Sequence, residues 1–277
     1  MRRTPTCVLS DSEPANVSDG HAVDRFVQIG SLTKVLTGTA LVRLAAAGAL
    51  TLDDPVERWL PAAPGTGITL RHLADHTSGL PRLPPHVAGR DPYVPFDERA
   101  LRDVLSRLDS IATRPAGQEE EYSNLGYAVL GAALAAASGT TYEELVGAHV
   151  LRPLDVTEVT ADPDPARRLP APGLFGRARR PWTMGGPILP AGGLWATPRA
   201  AAELLVRLLV ERRLGDPAPT WQTAGPLRWH NGATRDASVF AGATEDGRWV
   251  LVHRLNGDPD DTDRTGIKVL QGARQSR

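Results

Sequence analysis

The hydrophobic patterning of this 277-residue chain changes along its length, and that change limits the folds it can adopt. The middle carries apolar residues at helical spacing, whereas the last third alternates as strands do in residues 227–232, 238–243 and 248–256. Shorter strand-like segments, residues 6–9 and 24–29, precede the first helix. Strands at both ends with helices between them predict an α+β fold, in which both chain ends build one antiparallel sheet flanked by helices.

The length and a hydrophobic fraction of 41% allow a sizeable core. We expect a single domain over residues 1–277. Within it, an α/β lobe is predicted from residues 1–60 and 218–277, and a mainly helical lobe from residues 61–217.

Capping signals set the predicted helix boundaries. Residues 31–48 are predicted to form one long helix, and Thr69 and Asp97 are predicted to begin the next two. Thr141 and Glu144 form a capping box.

The later part of the chain is less regular. A helix over residues 125–137 is followed by an irregular stretch from Pro153 to Gly193, where Pro, Gly and Arg show no clear periodicity. Thr197 and Pro198 then begin another helix, and residues 263–271 form the last one.

Charge and terminal sequence argue against several functions. The net charge of −1 provides no field that would attract nucleic acid or an anionic membrane. No apolar run reaches the length of a membrane span, and no apolar segment follows Arg2 and Arg3, so we expect a cytoplasmic protein. Cys7 is the only cysteine, which excludes an intramolecular disulfide.

Lysine is nearly absent from the chain, and one of its two lysines lies close to a serine in the sequence. Of 31 Lys and Arg residues only Lys34 and Lys268 are lysines, and Lys34 follows Ser31 by three residues. On a helix the two side chains share a face. A desolvated lysine can lose its proton and act as a base, which arginine cannot do. We therefore predict that Ser31 is a nucleophile and Lys34 its base.

Two further motifs add polar groups. Tyr122 and Asn124 stand in a Tyr-Ser-Asn triplet directly before a predicted helix. His230 and Gly232 stand in His-Asn-Gly on a predicted strand, where glycine permits close approach of another backbone. Core packing of Tyr122 and His230, and helix capping by Asn124, are the structural alternatives.

In this order the three motifs resemble those of the serine β-lactamase and penicillin-binding-protein superfamily, most closely its class C β-lactamase and serine esterase branch. Four longer segments are similar to that branch as well: FVQIGSLTKVLTGTALVRLAAAGALTLDDPVERWLP, ITLRHLADHTSGLP, EYSNLGYAVLGAALAAASG and AGGLWATPRAAAELL. The resemblance implies a β-lactamase/transpeptidase-like fold and acyl-enzyme chemistry without a cofactor.

The resemblance also implies residue roles. Ser31, Lys34 and Tyr122 would be catalytic, and the amides of Ser31 and Ala233 would hold the oxyanion. The implied oxyanion and substrate-binding residues are Ala233, Asn124, His230 and Gly232. Because His230 stands where relatives carry lysine, the pocket lacks a permanent cation there, which favours neutral esters or amides. The segment from Pro153 to Leu227 looks abbreviated, which would open the site.

We therefore predict a serine hydrolase acting on a small-molecule ester or amide. An acyltransferase or cyclising enzyme of secondary metabolism and an inactive binding protein remain alternatives. A cell-wall peptidase or protective β-lactamase would need export, for which the sequence shows no signal. His72 and His76 are four residues apart but lack the glutamate of a zinc motif, so no metal site is expected.

Overall fold

The computed structural model describes residues 4–85, 89–173 and 177–272. Its strands are β1 (Thr6–Ser10), β2 (Asn16–Ser18), β3 (Val27–Gln28), β4 (Val159–Thr160), β5 (Trp195–Ala196), β6 (Gln222–Ala224), β7 (Leu227–Ala233), β8 (Ala237–Thr244) and β9 (Trp249–Leu255). Its helices are α1 (Thr33–Ala46), α2 (Leu70–Ala74), α3 (Glu98–Ser106), α4 (Leu108–Ile111), α5 (Asn124–Ser138), α6 (Tyr142–Val146), α7 (Leu189–Gly192), α8 (Pro198–Leu205) and α9 (Pro259–Gly272).

The main sheet joins the two ends of the chain. Its six strands lie in the order β2-β1-β9-β8-β7-β6, with antiparallel pairing throughout. The N-terminal strand β1 pairs with β9, which places Cys7 opposite His253. The predicted α+β fold, with a sheet built from both ends of the chain, is confirmed.

The predicted helix starts are confirmed wherever a side chain provides a cap. Thr69, Asp97 and Thr141 each accept a hydrogen bond from a backbone amide three residues ahead. The long helix differs at its start, because Gly30–Leu32 forms a 3-10 turn and α1 begins at Thr33. Gly30 has a φ of +50°, so the chain turns there before the α-helix can propagate.

The stretch from Pro153 to Gly193 is more ordered than its composition indicated. It contains β4 and α7, elements of two and four residues that are too short for a periodicity to reveal. Helix α7 packs closely on α5, since a Cβ built on Gly131 would lie 2.1 Å from Cγ of Pro190. This contact brings the α7 carbonyls to the centre of the molecule.

Two other boundaries differ from the prediction. The sequence predicted a helix that runs through RAAAELLVRLLVERRLG, but helix α8 gives way to a π-helical turn over Val206–Val210. Helix α9 begins at Pro259, ahead of the predicted start, and its first turn carries Asp260 and Asp261, which complement the helix dipole. None of the helices in the described ranges combines the length and the apolar character needed to cross a bilayer.

Helix α1 lies at the centre of the fold. Ten of its residues are buried, and they occur on all sides of the helix rather than along one stripe. Helices α5, α6 and α7 contact it, and the turn before it contacts β7. Its N-terminal end is therefore fixed between the sheet and the helices.

Candidate active site

Ser31 lies in the turn that precedes α1. It is partly exposed, whereas Gly30 and Leu32 on either side are buried. A Cβ on Gly30 would lie only 3.0 Å from the backbone nitrogen of Ala233, so the close approach of β7 requires glycine there. The first amides of a helical turn have no carbonyl partner within it. The Ser31 hydroxyl is thus accessible from solvent at a helix N-terminus.

Lys34 lies one helical turn deeper and is fully buried. Its Nζ is 2.8 Å from Oδ1 of Asn124, 2.5 Å from the carbonyl oxygen of Ala191 and 3.3 Å from Oγ of Ser31. Burial, assisted by the positive charge of Arg82, holds the pKa of Lys34 well below its ordinary value.

The neutral form of Lys34 fits these three contacts. A neutral amine has two N–H bonds, which the oxygens of Asn124 and Ala191 can accept. Its lone pair is then left for the Ser31 hydroxyl. In this arrangement Lys34 can take a proton from Ser31.

Tyr122 contacts the same serine from the other side. Its hydroxyl donates to Ser31 Oγ over 2.6 Å. Burial raises the pKa of Tyr122 to about 12, although the hydrogen bond to Ser31 opposes the shift. The phenol therefore stays protonated near neutral pH, beside an amine whose pKa is held well below its ordinary value. One serine thus has a base and an acid beside it.

Asn124 links the lysine to a residue that the motifs did not indicate. Its side-chain nitrogen donates to the hydroxyl of Tyr93 over 2.8 Å, and its oxygen faces Lys34. The alternative that Asn124 caps α5 is wrong, because Ser123 Oγ accepts from the amide of Gly126. The side chain of Asn124 is therefore not needed as a cap, and its Oδ1 can orient Lys34.

A segment from His76 to Arg82 holds the Tyr-Ser-Asn loop in place. The amide of Ser123 donates to Nδ1 of His76 over 3.1 Å, and the hydroxyl of Ser123 donates to the carbonyl of Pro81 over 2.7 Å. The amide of Asn124 donates to the carbonyl of Arg82 over 2.9 Å. The sequence marked part of this segment as similar to the family branch, but its contact with the site was missed.

His76 also packs on the aromatic rings of the site. Its ring centroid lies 4.5 Å from that of Tyr122 and 5.0 Å from that of Tyr127. Burial lowers the pKa of His76 to about 3, so the ring is neutral and Nδ1 can accept a hydrogen bond. His72 serves a separate contact, since its Nδ1 accepts from the amide of Thr69.

Strand β7 approaches the nucleophile turn through Gly232 and Ala233. A Cβ on Gly232 would lie 2.5 Å from the carbonyl oxygen of Ile29 and 2.9 Å from the backbone nitrogen of Ser31. The structure thus places this glycine at the close backbone approach that the sequence indicated.

The amide of Ala233 points toward the open edge of β7. Thr234 donates its amide to Ala237 on β8, and Ala233 stands opposite Ser238 in the register. Because hydrogen-bonded pairs alternate along an antiparallel ladder, the Ala233 amide points away from β8. Strand β6 pairs only with residues 227–229, so it does not cover this position. The edge there faces the turn that carries Ser31.

His230 is buried beneath the site. Its Nδ1 is 2.6 Å from the carbonyl oxygen of Asn231. Burial and the proximity of Lys34 lower the pKa of His230 to about 4, so its imidazole is neutral. Strand position 230 therefore contributes no positive charge to the site. Within the described ranges, no group of three or more His, Cys, Asp or Glu side chains converges as a metal site.

Comparisons with known proteins agree with this geometry. The family model described as Beta-lactamase matches residues 14–265. The D-alanyl-D-alanine-carboxypeptidase/endopeptidase AmpH of Escherichia coli K12 is 35% identical over 184 residues, which are 64% of this chain and 47% of that protein. The chain thus spans about half the length of this curated relative.

Solved structures share the fold at lower identity. A class C β-lactamase from Rhodobacter sphaeroides superposes with a TM-score of 0.74 at 17% identity, covering 99% of this chain and 95% of that one. The D-amino acid amidase of Ochrobactrum anthropi SV3 gives a TM-score of 0.74 at 19% identity, covering 97% and 95%. The family expected from the three motifs is confirmed.

Proposed function

Because the chain belongs to the beta-lactamase family of serine hydrolases, we propose that it hydrolyses a small ester or amide through an acyl-enzyme on Ser31. The observation that supports this most strongly is the placement of Ser31 Oγ between the buried amine of Lys34 and the phenol of Tyr122.

In the first half-reaction Ser31 Oγ attacks the substrate carbonyl carbon while Lys34 takes its proton. The resulting oxyanion is held by the amides of Ser31 and Ala233. Tyr122 donates its proton to the departing alcohol or amine as the acyl bond breaks. The proton held by Lys34 then returns to Tyr122, because a phenolate with a raised pKa is the stronger base.

In the second half-reaction a water molecule is the nucleophile, in the role that the Ser31 hydroxyl has in the first. Lys34, again neutral, takes a proton from the water, which attacks the acyl carbon, and Ser31 leaves with the proton that Tyr122 supplies. The proton on Lys34 then passes to the Tyr122 phenolate, so acyl-enzyme and water give free acid and the resting enzyme.

The substrate class is argued from the charges of the site. Neutral His230 leaves the strand side of the pocket uncharged, which favours esters and amides without a charge at that position. The names of the AmpH relative and of the amidase both describe cleavage of amide bonds. Amides therefore belong among the substrates to be tested.

The experiment is a substrate panel followed by mass analysis. It includes para-nitrophenyl esters of several chain lengths, nitrocefin and a D-alanyl peptide, with Ser31→Ala and the exposed-site control Ser110→Ala. We expect ester cleavage by the wild type and Ser110→Ala, loss in Ser31→Ala, and a trapped acyl group on the peptide containing Ser31. Undiminished cleavage by Ser31→Ala would overturn the proposal.

A further inference from the structure

A permanent cation lies at the mouth of the site, on an element that the motif residues do not include. Arg82 is exposed, and its Cζ lies 5.2 Å from the ring centroid of Tyr122. The hydroxyl of that tyrosine donates to Ser31. The carbonyl of Arg82 accepts from the amide of Asn124, which fixes its backbone against the site.

Burial disfavours the charged form of the other basic groups of the site. Burial lowers the pKa of His76 to about 3 and that of His230 to about 4, so both rings are neutral near pH 7, and it holds the pKa of Lys34 well below its ordinary value. The Arg82 guanidinium keeps its charge under all such conditions. It therefore places a permanent positive charge beside the ring of Tyr122.

Arg82 has no acidic partner in the part of the chain that the structure describes, unlike several other arginines. Arg58, Arg71 and Arg114 each form an ion pair with an aspartate or glutamate. Among the residues that the structure describes, no carboxylate lies within ion-pair distance of Arg82. Its planar donors are free for a ligand, and the aromatic face beside it reduces their solvation.

We propose that Arg82 is a specificity-determining residue that binds a carboxylate of the substrate, so that the enzyme prefers esters or amides that carry one. This inference rests on the proposed function and specifies its substrate class. It also modifies the expectation from the sequence, because the cation missing at position 230 is supplied at position 82. A guanidinium can bind a carboxylate through two parallel hydrogen bonds.

The kinetic test uses paired substrates that differ only in charge. One pair is the mono-para-nitrophenyl ester of glutaric acid and its methyl-capped form, with the carboxylate on the acyl side. The other pair is acetoxybenzoate and its methyl ester, with the carboxylate on the leaving side. We expect wild type to prefer the charged member of at least one pair by kcat/KM.

In Arg82→Gln that preference should fall about tenfold, the size of one charge-assisted hydrogen bond near solvent. Both members lose some rate, because removing the Arg82 charge also makes Lys34 easier to protonate. Arg82→Lys should keep part of the preference. Arg102→Gln, a change on the exposed side of α3, should leave both rates unchanged. A preference that is absent in wild type, or equal in wild type and Arg82→Gln, overturns the inference.

A binding measurement separates this inference from the proposed function. Calorimetry on Ser31→Ala, with and without Arg82→Gln, compares the affinities for each charged probe and its capped partner. If wild type cleaves none of the esters, the proposed function fails, yet tighter binding of a charged probe that depends on Arg82 still supports the inference. Equal affinities for charged and capped probes overturn it.

Discussion

Replacing Gly232 by alanine tests whether the contact between β7 and the nucleophile turn matters for catalysis. The new Cβ would lie 2.5 Å from the carbonyl oxygen of Ile29 and 2.9 Å from the nitrogen of Ser31. Both atoms belong to the backbone and cannot rotate away. To reach ordinary contact, the strand and the turn must separate by about 1 Å at the position that holds the oxyanion.

A displacement of about 1 Å in a catalytic site costs roughly 100-fold in rate, and loss of one oxyanion donor costs roughly 100- to 1000-fold. We therefore expect kcat for a para-nitrophenyl ester to fall by about that factor in Gly232→Ala. The cost in unfolding free energy should stay near the 1–3 kcal/mol that is typical of overpacking.

The assay measures kcat and KM together with the melting temperature. Gly185→Ala is the matched control, because a Cβ at Gly185 would meet no atom within 4 Å. It should keep the activity of the wild type. A folded Gly232→Ala protein with undiminished kcat would refute the assignment of this edge to the oxyanion.

Three further predictions concern charge and protonation. Asn124→Asp places a carboxylate 2.8 Å from Lys34 Nζ and raises the pKa of the lysine, so kcat/KM at pH 7 should fall at least tenfold and recover at higher pH; an unchanged pH–rate profile would contradict this. Tyr122→Phe removes the proton donor, so kcat/KM, which reports acylation, should fall about 100-fold or more for alkyl esters and less for para-nitrophenyl esters, whose leaving group needs no proton; equal losses in kcat/KM would count against the acid role. Burial lowers the pKa of His253 to about 3, and its Nδ1 lies 2.8 Å from Nε2 of His21. Because the unfolded chain binds this proton more readily, the contribution of His253 to the unfolding free energy should fall by about 1.4 kcal/mol per pH unit from pH 6 to pH 4, and His253→Gln should show a slope smaller by about one proton in denaturant titrations.

Elements that are long and periodic could be predicted from the sequence. Helices α1 and α5 and strands β7 to β9 appear within a few residues of their expected ranges, because periodicity and caps act locally. Strand β2 and helix α7 could not be predicted, since three or four residues carry no measurable period. Their positions depend on partners distant in sequence, such as Pro190 against Gly131.

The residues of the site also differ in whether the sequence could predict them. Ser31 and Lys34 share a turn, so their proximity follows from spacing alone. Tyr122 was recognised through its motif, and the structure brings it to the same serine. The carbonyl of Ala191 and the guanidinium of Arg82 reach the site only through tertiary packing, which no local pattern encodes. The His-Thr-Ser-Gly segment was visible in the sequence, but its contact with Ser123 was not.

The most direct test of the account asks whether Lys34 acts on Ser31 as a base. The measurement is the rate of labelling by a fluorophosphonate across pH, for wild type and Lys34→Arg, with peptide mapping of the adduct. We predict a single adduct on Ser31 in the wild type and labelling slowed by about 1000-fold in Lys34→Arg, because arginine cannot accept the proton. Labelling of Lys34→Arg at the wild-type rate, or an adduct on another residue, would contradict it.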